Sequence, residues 1–211
     1  MRVGVIDLGI NNLTSVRRAF SFPLRQSDSL IIIEKNSEID RPDLIILPGL
    51  GKFAAGMNEL NARNLVEKIK NWADQGTRIV GICLGMQLLG TSSAESEGIN
   101  GLNLISARID HLPFDQNEKI PHTGWASANI ENNTLSLKSL ATEGDFYFVH
   151  SYQMIPSNTQ DILTTTPFGN HNFVSSIFSK NILGVQFHPE KSGAKGRIFI
   201  SEIIDWARNE D

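Results

Sequence analysis

Short apolar runs and amphipathic stretches take turns along the first half of the chain. Val3–Asp7, Leu30–Ile33 and Leu44–Leu47 are largely apolar runs of strand length, whereas Leu13–Phe20 and Phe53–Ala73 space their apolar positions as helices do. The order reads β-α-β-β-α. A further run, Arg78–Ile82, leads directly into the helical pattern Leu84–Leu89. This alternation predicts an α/β fold with a mostly parallel central sheet flanked by helices. In the second half, Leu102–Ile109, Gly124–Ile130, Phe146–Val149, Phe173–Phe178 and Ile182–Phe187 predict strands separated by turn-rich segments, before a closing helix near Gly196–Arg208. These are expected to add antiparallel strands within a single domain spanning 1–211, because no repeat or long linker divides the chain.

Composition narrows the function classes. The chain has 211 residues, 40% of them hydrophobic and 20% charged, enough to bury a substantial core. With 19 basic and 23 acidic residues and a net charge of −4, it carries no basic stripe for nucleic acid and no polybasic patch for a membrane surface. A small-molecule substrate is expected instead. No apolar run is long enough to span a bilayer, and Met1-Arg2-Val3-Gly4-Val5-Ile6 opens in a strand pattern without signal-peptide architecture. The expected compartment is therefore the cytoplasm. A single cysteine excludes an intramolecular disulfide.

That cysteine, Cys83, stands between Gly81 and Gly85 where the predicted strand becomes a helix. In a parallel α/β sheet, sites gather at the carboxyl ends of strands. A thiol held at a helix N-terminus meets unpaired N–H groups and the positive end of the helix dipole, which favour the nucleophilic thiolate. His188 follows the strand pattern Leu183-Gly184-Val185-Gln186-Phe187 and opens His188-Pro189-Glu190. It is the candidate acid/base, with Glu190 positioned to hold its far ring nitrogen. The Leu84 N–H and the Pro48-Gly49-Leu50-Gly51 turn are candidate donors to a developing oxyanion. Taken singly, a lone cysteine also reads as a small core residue and His-x-Glu as a surface pair; together, at strand ends, they read as chemistry. His111, His122 and His171 have no comparable company and suit surface or structural roles. No metal-ligand spacing and no phosphate-cradling loop are present, Gly9-Ile10-Asn11-Asn12 reading as a loop and helix start, so neither metal nor cofactor is expected.

The segments Gly81-Ile82-Cys83-Leu84-Gly85-Met86-Gln87, Leu47-Pro48-Gly49-Leu50-Gly51 and Phe187-His188-Pro189-Glu190 resemble the three signatures of class I (triad) glutamine amidotransferases. Within that class, Pro121-His122-Thr123-Gly124-Trp125, Val149-His150-Ser151-Tyr152 and His188-Pro189-Glu190-Lys191-Ser192 are most similar to the glutaminase subunits that serve a cyclase making imidazole glycerol phosphate in histidine biosynthesis. The resemblance implies hydrolysis of L-glutamine through a Cys83 thioester, with His188 and Glu190 completing the triad and Gly49 and Gly51 flanking the oxyanion strand. It implies that Gln87, Glu95, Ser151 and Tyr152 hold the ammonium and carboxylate ends of glutamine. It also implies a heterodimer with a (β/α)8-barrel cyclase, in which Trp125 and Lys191 contact the barrel and Tyr147 and His150 lie beside the path to it. Low activity without the partner is expected. Ala94, Thr123 and Ala126 depart from residues frequent in relatives, and Leu50 adds bulk where valine is common. These departures leave open a paralogous glutaminase feeding a surface-polysaccharide sugar amidotransferase. A cysteine-peptidase-like hydrolase or a non-catalytic module on the same scaffold are the remaining alternatives.

Overall fold

The computed structural model describes residues 1–9, 12–36, 39–113, 119–135 and 137–208. The first half runs β1 (Arg2–Ile6), α1 (Leu13–Ser21), β2 (Ser29–Ile33), β3 (Leu44–Gly49), α2 (Phe53–Ala62), α3 (Val66–Asp74), β4 (Arg78–Cys83) and α4 (Leu84–Leu88). There follow β5 (Ser92–Ser93), β6 (Ala107–His111), β7 (His122–Ala126), β8 (Asn129–Ile130), α5 (Lys138–Ala141), β9 (Phe146–His150), β10 (Tyr152–Pro156), β11 (Ile162–Phe168), β12 (His171–Ser179), β13 (Ile182–Val185) and α6 (Gly193–Arg208).

Eight strands form one sheet in the order β2-β1-β3-β4-β13-β12-β11-β8. The run from β2 to β13 is parallel, and β12, β11 and β8 extend it antiparallel. Period-two alternation sorts its side chains between two apolar layers. Leu44 and Ile46 face the layer closed by Phe20 of α1 and Phe199 and Ile203 of α6, whereas Ile45 and Leu47 face Phe53, Met57 and Ile69 of α2 and α3. Both faces are therefore covered, as a parallel sheet requires. A three-stranded sheet (β10-β6-β5) and a two-stranded ribbon (β7-β9) lie outside the main sheet. Among the described residues, no helix is long and apolar enough to cross a membrane.

Several expected boundaries move for local reasons. Phe53–Ala73 is two helices, because Asn64 takes a left-handed φ of 55° and ends the first of them. Leu102–Ile109 becomes a strand only at Ala107; before it, Leu102, Leu104 and Ile105 donate their N–H groups to Leu88 and Leu89 carbonyls and complete the end of α4. Gly124–Ile130 is split between β7 and β8, which belong to different sheets. Ile10 and Asn11, within the loop expected before α1, lie outside the described residues. Asn12 caps α1, its Oδ1 accepting from the Ser15 N–H at 3.3 Å.

Candidate active site

At the β4–α4 junction Cys83 adopts φ 54° and ψ −110°, a conformation costly for a residue with a side chain. The surrounding glycines permit it. A Cβ on Gly85 would lie 1.7 Å from the Leu47 carbonyl oxygen, and one on Gly81 would lie 2.7 Å from the Gly85 carbonyl oxygen, so α4 reaches its place only with bare backbone at both positions. Leu84 is the first residue of α4, and its N–H has no intrahelical carbonyl to bond. The turn after β3 lies alongside: Gly49 is in register with Cys83, and Gly51 takes φ 101°.

The histidine arrives on the neighbouring strand. Parallel pairing matches Val185 with Ile82, so the chain leaving β13 brings Gln186 and then His188 to the carboxyl end where Cys83 sits. Pro189–Lys191 forms a single 3-10 turn that swings Glu190 back beneath the ring. His188 Nδ1 and Glu190 Oε1 are 2.8 Å apart, with side chains only 2% and 3% exposed. The backbone is pinned as well: the His188 N–H donates to the Tyr147 carbonyl at 2.8 Å, while Ser192 Oγ donates to the His188 carbonyl at 2.7 Å and accepts from the Tyr147 N–H. With Nδ1 committed to a carboxylate, Nε2 is the nitrogen left to exchange a proton with Cys83.

Burial works against the His188 imidazolium, but the charge of a Cys83 thiolate and the Glu190 carboxylate outweigh it and lift the pKa to about 10. Cys83 acts on the ring both by its charge and by a side-chain hydrogen bond. The sulfur also lies 3.8 Å from the Val149 carbonyl, and Gln186 Nε2 donates to it at 3.5 Å. Apo geometries of this kind tighten when substrate arrives.

A cavity of about 190 Å³ opens at the sulfur, lined by Leu50, Gly51, Cys83, Leu84, Gln87 and Glu95 on one side and Val149, His150, Ser151 and Tyr152 on the other. It is below the ~300–1,000 Å³ of sites for drug-sized ligands and suits an amino acid. All four residues expected to grip glutamine thus line the same cavity. Gln87 Nε2 donates to the Tyr152 carbonyl at 3.2 Å and to Gln186 Oε1 at 3.0 Å, leaving only its Oε1 for a ligand, an acceptor suited to an ammonium group. Glu95 Oε2 accepts from the Phe53 N–H at 2.7 Å and caps α2, whose own N-cap residue, Lys52, makes no side-chain cap. The cavity wall is thereby tied to the helix that follows the Gly49–Gly51 turn. Burial, then the Glu95 charge, pushes the Tyr152 phenol up. A larger hollow of about 510 Å³, lined by Arg25, Arg41, Arg78 and Arg208, lies at the opposite end of the parallel strands, remote from the sulfur.

Trp125, Tyr147 and Lys191 also meet. Trp125, 56% exposed, is opposite Tyr147 across the β7–β9 ribbon with ring centroids 5.8 Å apart, and Lys191 Nζ lies 5.8 Å from the Tyr147 ring centroid. This line begins beside His188, the Tyr147 and His188 rings being 6.5 Å apart. His150 is buried and neutral: burial pushes its pKa down to about 3, and its Nδ1–H donates to the Tyr152 carbonyl at 2.8 Å. Its Nε2 consequently accepts from His122 Nδ1 at 3.2 Å, and both rings pack on Phe148 and Phe173, a structural role for His122. Sequence reasoning missed Gln186 and the Ser192 clasp. The available signal for Gln186 was a polar residue amid apolar neighbours, just after the β13 strand and two positions before His188.

Fold and site together define a class: α/β proteins with a cysteine at a strand-to-helix elbow and a histidine–carboxylate pair at the end of the adjacent parallel strand, the equipment of a cysteine-dependent hydrolase. The family model for class-I glutamine amidotransferases matches residues 5–204. An imidazole glycerol phosphate synthase subunit HisH of Prochlorococcus marinus is 38% identical over 210 residues, covering 100% of this chain and 97% of that protein. HisH of Lactococcus lactis subsp. lactis is 38% identical over 204 residues, covering 97% and 98%. Among solved structures, a chain of PurLQS from Thermotoga maritima superposes with a TM-score of 0.71 at 18% identity, covering 98% of this chain and 99% of that one. The chain belongs to the class-I glutamine amidotransferase family.

Proposed function

We propose that this protein is the glutaminase subunit of an imidazole glycerol phosphate synthase, releasing ammonia from L-glutamine for a (β/α)8-barrel cyclase in histidine biosynthesis. The carrying observation is the 38% identity to a HisH subunit across 97% of its length, supported by a cavity that brings Cys83 together with Gln87, Glu95, Ser151 and Tyr152.

Glutamine enters with its ammonium toward Glu95 and the Gln87 carbonyl, and its carboxylate toward Ser151. His188 Nε2 takes the Cys83 proton as the sulfur attacks the side-chain amide carbon. The Leu84 N–H and an N–H of the Gly49–Gly51 turn receive the oxyanion, each donor supplying about 2.7–4 kcal/mol of transition-state stabilisation when well aimed. The imidazolium, held by Glu190, protonates the departing nitrogen as the C–N bond breaks and ammonia leaves. Water, deprotonated by the same imidazole, then cleaves the thioester and frees glutamate. Trp125, Tyr147 and Lys191 form the docking edge for the cyclase, which receives ammonia that bulk water would otherwise protonate. An unpaired, reactive thiol suits the reducing cytoplasm.

The test is co-purification with the cyclase followed by paired assays with glutamine and with ammonium. Wild type should support cyclisation with either nitrogen source, and Cys83→Ala with ammonium alone. Glutamine-dependent turnover at the wild-type rate in Cys83→Ala refutes the assignment of the nucleophile. Stable docking to a sugar amidotransferase instead of the cyclase refutes the pathway.

A further inference from the structure

Gln186 is a polar side chain with 0% exposure, placed against the reacting sulfur. Its amide orientation follows from a chain of single-valued partners. The Tyr152 carbonyl can only accept, so Gln87 must turn its NH2 toward it at 3.2 Å. That same Gln87 Nε2 then lies 3.0 Å from Gln186, which must present its Oε1. The other end of the Gln186 amide, its Nε2, is thereby directed at Cys83 Sγ, 3.5 Å away. One backbone carbonyl in the cavity wall thus dictates, through two amides, that the sulfur faces an N–H donor.

We propose that Gln186 is a catalytic residue that stabilises the Cys83 thiolate by an N–H···S hydrogen bond, and that Gln87 is the positioning residue that sets its orientation. The inference rests on the reading of Cys83 as nucleophile. A neutral donor has a specific advantage at this place. It stabilises negative sulfur before attack and again when the thioester breaks and the thiolate leaves, yet it does not compete with His188 Nε2 for the proton. A cationic side chain would hold the thiolate too firmly against carbon, and an apolar one would withdraw one of the donors that support the anion.

The experiment uses the full chain and Cys83 as the sole thiol, alkylated with iodoacetamide and followed by mass. Gln186→Glu keeps shape and the acceptor for Gln87 but presents a carboxylate to the sulfur; Gln186→Met removes both ends of the amide. Near neutral pH, each variant should be alkylated about tenfold more slowly than wild type, the size of a hydrogen bond to an ion. At a pH alkaline enough to ionise the thiol in every variant, the Gln186→Met rate should return to the wild-type value. Glutamine hydrolysis by Gln186→Met in the complex should lose kcat with little change in KM. Equal alkylation at both pH values, or slowing that persists at alkaline pH in Gln186→Met, overturns the proposal, the latter assigning the residue to packing. Should Gln186→Met fail to fold by circular dichroism, Gln186→Leu, which likewise removes both ends of the amide, takes its place at both pH values. Residual glutamine hydrolysis in Cys83→Ala would instead overturn the underlying nucleophile assignment, so the two failures are distinguishable.

Discussion

Replacing Glu190 by glutamine removes one charge while keeping the shape of the side chain, and its effect follows from the geometry beneath His188. The carboxylate oxygen lies 2.8 Å from Nδ1, and the pair is sealed from solvent at 2% and 3% exposure, so bulk water does little to screen it. A hydrogen bond to a charged group contributes about 1.5–3 kcal/mol. Coulomb's law for unit charges near 4 Å at an effective dielectric of 20 sets an upper figure of about 4 kcal/mol. This stabilisation acts on the imidazolium, which forms when the thiol proton is taken, so its loss falls on the transition state. The amide introduced by Glu190→Gln can also turn its NH2 toward Nδ1 and select the tautomer with Nε2 protonated, unable to accept that proton. The expected result is a fall in glutamine-dependent kcat/KM of roughly 10- to 1,000-fold. The fold should hold, because the substitution deletes a buried charge rather than opening a cavity. The assay is steady-state glutaminase activity of the complex, with thermal melting as control. Activity within about twofold of wild type in a folded Glu190→Gln protein would refute the role of Glu190 as the support of the imidazolium.

Glu95→Gln should raise KM for glutamine about 10-fold or more with a smaller effect on kcat, since a charge-assisted contact to the substrate ammonium is lost while the amide oxygen still caps α2; steady-state kinetics checks the split. Gly85→Ala should destabilise the chain by about 3 kcal/mol or more, because the Leu47 carbonyl that a Cβ would meet at 1.7 Å is backbone within a central strand; urea unfolding measures it. Asp28 accepts from Arg208 and from the Arg25 N–H, which hold its carboxyl well below the ordinary 3.8. That contribution is complete above about pH 4 and is lost as the pH falls below it, so the gap in melting temperature between wild type and Asp28→Asn should close on acidification.

The parallel half of the fold was legible because each strand is a compact apolar run and each helix a separate amphipathic stretch. The antiparallel half was less so. β10 and β11 carry Gln153, Pro156, three successive threonines and Pro167, which break the apolar pattern while the pairing partners supply the order. The Asn64 break depends on one left-handed residue that a helical periodicity does not register. The candidate triad stood out in the sequence because its residues are chemically distinctive and the neighbouring glycines mark close backbone approach. Gln186 and Ser192 were not, since their meaning lies in partners 103 and 45 positions away in sequence.

The site buries a thiol, an imidazole and a carboxylate together, and such burial is tolerable only if the charge states support one another. The structure achieves this by terminating each polar chain on a group with a single role. Glu190 accepts from Nδ1, the Tyr152 carbonyl accepts from both Gln87 and His150, and the His188 carbonyl accepts from Ser192. His150 illustrates the rule by contrast: as buried as His188 but without a carboxylate, it is driven to about pKa 3, whereas His188 is lifted to about 10. The same kind of ring is therefore a fixed neutral strut at one position and the candidate proton carrier at the other. The decisive difference is the company of Cys83 and Glu190 on either side of His188, whose hydrogen bonds and charge together outweigh burial.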